Sequence, residues 1–290
     1  MKPLYICKIH TGGGGIGNKL FPWARACIYS YIHKLPVIFP VWSQIKIGPI
    51  LRSQKDKRWY LDLFCTNNDY INGFQSLWFD LTLNNVPEPA LLTTSPDKLC
   101  DRSCKVVFEG LKDYFESLNG WKDLIYQKIR SITKKKWLIS ADNFPEISIA
   151  MHIRRGDYTA ENWIPNSWYR FYLRHIRELV GENIVAYLFS DGNYAQLKDI
   201  LINEPNVKFI NNGNALRDLL LLSKAKVLLS SPSTFSAWAS YLGEMPTLSF
   251  PGHYMSWYGL KSSENQFREV CPQDNPPEQF KRHILKCFAK

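Results

Sequence analysis

The sequence predicts an α/β fold in which helices cover both faces of parallel, Rossmann-like sheets. In the second half of the chain, five short apolar runs alternate with amphipathic helical stretches, as consecutive strand–helix units do. At the N-terminus, a strand, a glycine-rich turn, a helix and a second strand follow one another. Apolar residues make up 45% of the 290 residues, which is enough for a packed core in one or two domains.

The N-terminal part of the chain forms the first of these units. Residues 4–10 predict a buried strand, and residues 37–39 predict a second one. Between them lie a glycine-rich turn at residues 11–18 and a helical pattern over residues 19–33. We expect Pro22 in the first turn of that helix, where the missing N–H of proline has no intrahelical partner to lose.

The alternation of predicted strands and helices is less regular over residues 42–143. Pro87, Pro89 and Pro96 interrupt it, and the one helix predicted there covers residues 111–134. The order of the other elements in this region does not follow from the sequence.

Regular alternation begins after Pro145. The predicted strands cover residues 147–153, 184–189, 207–210, 226–230 and 247–250. The predicted helices cover residues 167–180, 194–202, 215–225 and 233–243. The change of pattern predicts two domains, residues 1–144 and 145–275, followed by a C-terminal helix over residues 276–290. Ligands of parallel sheets bind at the carboxyl ends of the strands, so the residues after each strand are the candidates for function.

The charge of the chain favours an anionic partner. There are 36 basic and 26 acidic residues, a net charge of +10, which suits a phosphorylated ligand, an acidic membrane or another polyanion. The three lysines at residues 134–136 have two interpretations, a solvated helix end or a contact with anionic lipid headgroups. No nucleic-acid-binding motif accompanies them, so nucleic acid is not an expected partner.

The cysteines and the apolar runs indicate which cell compartment and what kind of metal binding to expect. The seven cysteines form no CxxC pair and no zinc-binding pattern, so we expect a reduced, cytoplasmic chain without a metal site. The N-terminus does not resemble a signal peptide, and no apolar run approaches the roughly 20 residues that cross a bilayer. We therefore expect a soluble protein, or one that lies peripherally at the inner face of the membrane.

Two arginines follow the first strand of the second half. Arg154 and Arg155 come directly after residues 147–153, and each planar guanidinium can donate two parallel hydrogen bonds to a phosphate. Asp157 follows them closely in the sequence. The alternative interpretation is a pair of surface arginines that bridge to carboxylates.

Hydroxyl groups and glycines supply two further candidate anion sites. The segment SSPSTFS at residues 230–236 lies between a strand and a helix, a position where helix N-termini bind anions. An ordinary N-cap at Ser233 is the alternative. The glycines of residues 12–17 let a ligand approach the backbone closely, but this segment matches neither a P-loop nor GxGxxG.

Two carboxylates complete the candidate set. Asp191 follows the strand at residues 184–189, and Asp218 lies near the start of the helix at residues 215–225. A carboxylate can accept hydrogen bonds from both the ring N–H and the exocyclic amine of guanine. It can equally stabilise a helix start through the macrodipole. Together with the arginines, these residues predict a site for a diphosphate joined to a base at one edge of the sheet.

These segments resemble the motifs of glycosyltransferase family 11, the α-1,2-fucosyltransferases. HIRRGDY at residues 152–158 resembles the family's HxRRGDY, and GGIGNKLF at residues 14–21 resembles its GGLGNQMFQ. FSD at residues 189–191 resembles FSDD. DLLLLSKA at residues 218–225, followed by STFSAW at residues 233–238, resembles DLxLM and NSTFSWW. The motifs follow one another in the family's order over nearly the whole chain.

The resemblance implies a GT-B-type fold of two Rossmann-like domains, with GDP-fucose as donor substrate, inversion at the anomeric carbon, and neither cofactor nor metal. Residues 1–144 would lie on the acceptor side, and residues 145–275 would bind the GDP-sugar. Arg154 would bind the β-phosphate with the support of His152, and Asp218 would recognise guanine. The other implied donor-binding residues are Arg155, Asp191, Ser233, Thr234, Phe235 and Ser236, with Gly15, Gly17 and Asn18 from the N-terminal loop.

Four departures from the family motifs bear on specificity. Lys19 stands where the family has Gln, and Pro22 and Trp23 replace a Gln-Tyr pair. Gly192 replaces the second Asp of FSDD, and Ala237 replaces the first Trp of the last motif. The positive charge of Lys19 is within the expected reach of the diphosphate. The departures leave the donor sugar and the acceptor linkage open.

The expected reaction is an inverting transfer of fucose from GDP-fucose to a glycan hydroxyl, often on galactose. Arg154 would stabilise the leaving diphosphate, and Asp157 and Glu161 are the candidate bases. The acceptor would be an oligosaccharide or a lipid-linked glycan. The alternatives are a transferase of another nucleotide-linked sugar and a non-catalytic sugar- or nucleotide-binding module.

Overall fold

A computed structural model of the chain describes residues 3–43, 60–156, 158–263 and 266–289. These residues divide into two units, with the division between Leu138 and Ile139. Each unit contains a parallel sheet accompanied by helices, so the predicted α/β class is confirmed.

The sheet of the first unit has five parallel strands in the order β3-β2-β1-β5-β4. The strands are β1 (Tyr5–His10), β2 (Val37–Ile38), β3 (Tyr70–Ile71), β4 (Asn84–Pro87) and β5 (Cys104–Glu109). The first and last of the six paired positions of β1 and β5 are Tyr5 with Cys104 and His10 with Glu109. The predicted strands at residues 4–10 and 37–39 are therefore confirmed, whereas β3, β4 and β5 were not predicted.

The helices of this unit are α1 (Ile16–His33), α2 (Gly73–Thr82), α3 (Lys122–Ile132) and α4 (Lys135–Asp142), the last of which continues into the second unit. α1 begins earlier than predicted, with Gly15 as its extended N-cap. Pro22 therefore lies inside the helix rather than in its first turn. Most residues of α1 are buried, and we attribute the tolerance of a proline here to this packing.

The predicted single helix over residues 111–134 is wrong. The backbone of Gly110, Lys112, Tyr114 and Gly120 lies in the left-handed region, at φ values of 67°, 43°, 51° and 80°. An α-helix cannot run through such positions, so only α3 forms, preceded by a short 3₁₀ turn at Glu116–Leu118.

The sheet of the second unit has six parallel strands in the order β11-β10-β9-β6-β7-β8. The strands are β6 (Ile149–Ile153), β7 (Ala186–Ser190), β8 (Val207–Ile210), β9 (Val227–Ser230), β10 (Thr247–Ser249) and β11 (Arg268–Val270). The helices are α5 (Asn166–Val180), α6 (Tyr194–Asn203), α7 (Ala215–Leu222), α8 (Thr234–Gly243) and α9 (Glu278–Phe288). All five predicted strands and all predicted helices of this half are confirmed, and β11 is additional.

The core of the second unit lies between the sheet and the helices α5 and α9. Trp168 and Tyr172 of α5 are fully buried, and the ring of Tyr172 lies 5.5 Å from that of Phe280 in α9. Phe280 and Ile284 belong to the same apolar cluster as the strands β6 and β7. The C-terminal helix is thus packed into this unit. Among the described residues, no helix is long and apolar enough to cross a membrane.

Candidate functional site

A histidine surrounded by hydroxyl groups lies at the end of β6. The Nδ1 atom of His152 is 2.5 Å from Ser236 Oγ and 2.8 Å from Ser231 Oγ. Burial lowers the pKa of His152 to about 4, partly opposed by the carboxylate of Asp191. The imidazole is therefore neutral at pH 7. A neutral ring that accepts a hydroxyl proton at Nδ1 carries its own proton on Nε2.

The lowered pKa of His152 predicts a loss of stability in mild acid. Below pH 6.5 the unfolded chain takes up a proton that the folded chain does not, so the free energy of unfolding falls as the pH drops from 6.5 towards about 4. One such proton corresponds to a slope of about 1.4 kcal/mol per pH unit. Urea unfolding of the wild type and of His152→Gln over this range measures the difference in slope.

The comparison with His152→Gln is needed because burial also lowers the pKa of His253 and His283. Those two contributions are common to both proteins and cancel in the difference. Equal pH slopes for the two proteins would show that His152 is protonated as readily in the folded chain as in the unfolded one.

Arg154 is the accessible cation at the end of β6. Its side chain is 28% exposed, and its Nη1 lies 2.5 Å from Asp191 Oδ2. The other carboxylate oxygen, Asp191 Oδ1, accepts the backbone N–H of Arg155 at 2.8 Å. Asp191 therefore fixes both the loop after β6 and the guanidinium of Arg154. This contact agrees with the alternative interpretation, an arginine bridged to a carboxylate, although Arg154 remains partly open to solvent.

Arg155 is placed differently from the expectation. Its side chain is 2% exposed, and its Nη2 donates to Ile164 O at 3.1 Å and to Asn166 Oδ1 at 2.6 Å. The guanidinium also lies 4.9 Å from the ring centre of Trp163. The side chain is directed into the unit, where it supports the loop, rather than beside Arg154 as a second phosphate ligand.

The arrangement around Arg155 accounts for Gly192, which departs from the family motif. A Cβ at Gly192 would lie 2.8 Å from Arg155 Cγ and 2.9 Å from Arg155 Cβ, closer than real Cβ atoms come. The contacting atoms are close to the backbone of Arg155 and cannot move aside easily. An aspartate at this position would require the buried arginine to shift.

The start of α8 lies against the end of β6. Ser233 is the N-cap of α8, and its Oγ accepts the N–H of Ser236 at 3.1 Å, so the capping alternative is confirmed. Tyr158 donates its hydroxyl proton to Pro232 O at 2.8 Å, and the ring of Phe235 lies 5.1 Å from that of His152. The positive end of the α8 dipole is thereby held beside the loop that carries Arg154.

Among the predicted serines, Ser236 has an internal role in this structure. Its hydroxyl is fully buried and bonded to His152, while Thr234 is half-buried in the first turn of α8. Ser231, which also bonds to His152, lies in the candidate anion segment 230–236 but was not assigned a donor-binding role of its own. Its place directly after β9 was the available signal.

Asp218 lies in the first turn of α7, after the end of β8. Asn214 caps this helix by accepting the N–H groups of Leu216 and Arg217 at 3.1 and 3.0 Å. Gly213 lies so close to the Asp218 carboxylate that a Cβ there would overlap it. The backbone before α7 therefore fits closely around this carboxylate.

Arg217, the residue before Asp218, was not predicted from the sequence as part of this region. It is buried, its Nε donates to Ser140 Oγ at 2.7 Å, and its Nη1 lies 3.8 Å from Asp218 Oδ1. Its guanidinium lies 5.3 Å from the ring centre of Phe144.

The glycine-rich loop belongs to the first unit. Gly15 caps α1, and the N–H of Asn18 donates to Gly15 O at 3.1 Å, while Gly17 is buried within the helix. The ammonium of Lys19 is buried and donates to Thr11 Oγ1 at 3.3 Å and to Gly12 O at 3.0 Å. Lys19 thus bonds to the loop itself, in contrast to the expectation that its charge reaches a diphosphate.

The structure describes only one of the two candidate bases. Asp157 lies outside the described residues. Glu161 is exposed in a short 3₁₀ turn at Ala160–Asn162. The described residues contain no group of three or more His, Cys, Asp or Glu side chains that could hold a metal ion.

A protein-family model matches the part of the chain that carries these loops. The model of the family described as Glycosyl transferase family 11 matches residues 106–253. This stretch includes β6 to β10 and the loops with Arg154, Asp191, Asp218 and Ser233.

Two proteins of Escherichia coli are similar in sequence. The O-antigen biosynthesis glycosyltransferase WbnK is 29% identical over 103 residues, which cover 32% of this chain and 33% of that protein. An alpha-1,2-colitosyltransferase is 23% identical over 259 residues, which cover 79% of this chain and 85% of that protein. The match thus spans about a third of the first relative and most of the second.

Solved structures of fucosyltransferases share the fold. The fucosyltransferase NodZ from Bradyrhizobium matches with a TM-score of 0.53 and 15% identity over 87% of this chain and 98% of that chain. A variant of Arabidopsis thaliana FUT1 in complex with GDP matches with a TM-score of 0.51 and 11% identity over 91% of this chain and 72% of that chain. The predicted GT-B-type fold of two Rossmann-like domains is therefore confirmed.

Proposed function

Since the chain belongs to glycosyl transferase family 11, we propose that it moves L-fucose from GDP-fucose to a glycan hydroxyl, with inversion and an α-1,2 linkage. The observation that supports this most is the placement of Arg154. Its guanidinium lies at the carboxyl end of β6, beside the N-terminus of α8, in a parallel sheet. Sheets of this kind bind phosphates at that edge.

In the proposed reaction the bond between the fucose C1 and the β-phosphate oxygen breaks, and a bond between C1 and the acceptor oxygen forms. The electron pair of the broken bond leaves with GDP, and negative charge grows on the β-phosphate. Arg154 and the positive end of α8 stabilise that charge without moving, since Asp191 and the N-cap of Ser233 already fix them. We propose that these groups suffice without a metal or other cofactor.

The acceptor proton goes to a carboxylate base, for which Asp157 and Glu161 remain the candidates. Asp218 recognises guanine in this proposal, supported by its position after β8 and by the close fit of Gly213 around it. Gly15, Gly17 and Asn18 contribute the donor contacts of the first unit. The acceptor is an oligosaccharide or a lipid-linked glycan.

A second candidate function is the transfer of a colitosyl group from the corresponding GDP-linked donor. It is supported by the similarity to the alpha-1,2-colitosyltransferase, which extends over 79% of this chain. The departures at Gly192 and Ala237 from the fucosyltransferase motifs are compatible with a different donor sugar. Both candidates use the same diphosphate and guanine contacts.

A donor panel separates the two candidates. The chain is incubated with GDP-fucose, GDP-colitose, GDP-mannose and UDP-galactose on an oligosaccharide array, and released nucleotide, product mass and linkage are measured. We expect the fastest turnover with GDP-fucose and an α-1,2-linked product. Faster turnover with GDP-colitose supports the second candidate, and binding of GDP without turnover on any acceptor contradicts both.

A further inference from the structure

Helix α2 of the first unit presents an apolar stripe to solvent. Phe74, Leu77, Trp78 and Leu81 are 80%, 55%, 56% and 78% exposed. Their spacing of three, four and seven residues places them on one side of the helix. None of the ten residues of α2 is buried, so the stripe has no partner within the described part of the chain.

The polar side of α2 attaches the helix to its unit. Asp80 is the only acidic residue of the helix, and its carboxylate lies 2.6 Å from Lys8 Nζ and 3.4 Å from Lys105 Nζ. Lys105 also donates to the backbone carbonyl of Asp80 at 2.8 Å. Both lysines belong to the strands β1 and β5. The helix is therefore held from its polar side, and its one negative charge is neutralised by its own unit.

A basic segment, residues 128–136, is connected to the start of α2 by side-chain contacts. The N-cap of α2, Asn72, donates its side-chain amide to Thr66 Oγ1 at 3.0 Å, and Asn67 donates to Ser131 Oγ at 3.3 Å. The backbone of Lys134 donates to Leu63 O at 3.0 Å. The stretch of chain over residues 63–72, which leads through β3 into α2, is thus bonded to the basic segment.

The basic segment keeps a positive excess after its ion pairs are counted. Its lysines are Lys128, Lys134, Lys135 and Lys136, and the acids that pair with them are Asp69 with Lys128, and Asp62 with Lys134 and Lys136. Four positive and two negative charges leave an excess of two among these side chains. Lys135 and Lys136 are exposed.

We propose that the stripe of α2 and the basic segment together form a docking surface for an anionic lipid bilayer. Exposed Trp and Phe side chains on an amphipathic helix favour the interface between headgroups and acyl chains. Lysines beside such a helix add electrostatic attraction to anionic headgroups. This inference does not depend on the proposed function, because it concerns a different surface from the donor site.

A second copy of the chain fits this surface less well than a bilayer. The four stripe side chains expose on the order of 500 Å² of apolar area, compared with the ~800 Å² per partner of a standard protein interface. Each copy carries a net charge of +10, which opposes self-association and favours an anionic surface.

Co-sedimentation of the full chain with lipid vesicles tests the proposal. We expect binding to vesicles of phosphatidylglycerol and phosphatidylethanolamine that weakens with salt, and little binding to phosphatidylcholine alone. The double variant Leu77→Gln/Trp78→Gln is expected to bind roughly tenfold or more weakly. Lys135→Gln/Lys136→Gln is expected to bind about 30-fold more weakly at low salt.

Leu91→Gln is the matched control, because Leu91 is 67% exposed in the same unit but lies outside α2. It is expected to bind as the wild type does, and circular dichroism should show all variants folded. The proposal is wrong if the wild type does not bind anionic vesicles, or if the stripe variant binds as tightly as Leu91→Gln. It is also wrong if gel filtration shows a dimer that the stripe variant abolishes.

Discussion

Replacing Arg154 with alanine is expected to lower kcat with GDP-fucose by about 100-fold or more. In the proposed mechanism its guanidinium is the preorganised donor to the β-phosphate, which gains charge only as the glycosyl bond breaks. The fold should be little affected, because the side chain is partly exposed and Asp191 keeps its second contact with the backbone N–H of Arg155. Steady-state kinetics and thermal unfolding of the same preparation measure the two effects separately.

Arg155 provides the contrasting variant. Arg155→Ala would leave Ile164 O and Asn166 Oδ1 without their buried donor, so we expect it to unfold at a lower temperature than Arg154→Ala. Arg154→Lys keeps the charge but not the planar fork and should fall between wild type and Arg154→Ala in kcat. Near-normal turnover of folded Arg154→Ala would remove the phosphate role from this residue.

Replacing Glu88 with glutamine is expected to reduce the free energy of unfolding by about 3–5 kcal/mol. Glu88 forms a two-point ion pair with Arg25 of α1, at 2.8 Å from Nε to Oε2 and 3.1 Å from Nη2 to Oε1. Both side chains are 2% exposed. The variant leaves the guanidinium buried without a counter-charge, which costs far more than the loss of one hydrogen bond.

Lys112→Gln is the control for this prediction. Lys112 Nζ lies 3.2 Å from Glu88 Oε1, but its side chain is 42% exposed, so its removal should cost less than about 1 kcal/mol. Urea unfolding of both variants gives the comparison. A loss for Glu88→Gln no larger than that for Lys112→Gln would mean that the carbonyls of Glu109 and Gly110, which also accept from Arg25, are sufficient to hold it.

The sequence predicted the second sheet because its strands are continuous apolar runs separated by helices with clear amphipathic periods. β9, for example, has the sequence VLLS, is buried throughout and lies within the predicted residues 226–230. The first sheet was harder to predict, since β2 and β3 are two residues long and β4 is mostly exposed and polar. Left-handed backbone at Lys112 and Tyr114 has no sequence signal, because neither residue is a glycine or an asparagine.

The sequence was sufficient to predict which residues of the site follow each strand. Arg154, Asp191, Asp218 and Ser233 all lie after a strand end or in the turn or first helical turn that follows it. The direction of each side chain was not predictable, because it depends on partners distant in the sequence. Arg155 turns inward to Asn166, and His152 bonds to Ser236, which lies 84 residues away.

The contact between Asp191 and Arg154 also affects the affinity for a diphosphate. An arginine side chain has roughly 2 kcal/mol of rotamer entropy to lose when it is immobilised. Because Asp191 already restrains Arg154 in the ligand-free chain, much of that entropy is lost during folding rather than during association. The same carboxylate that neutralises part of the arginine's charge thereby makes its immobilisation by a ligand less unfavourable.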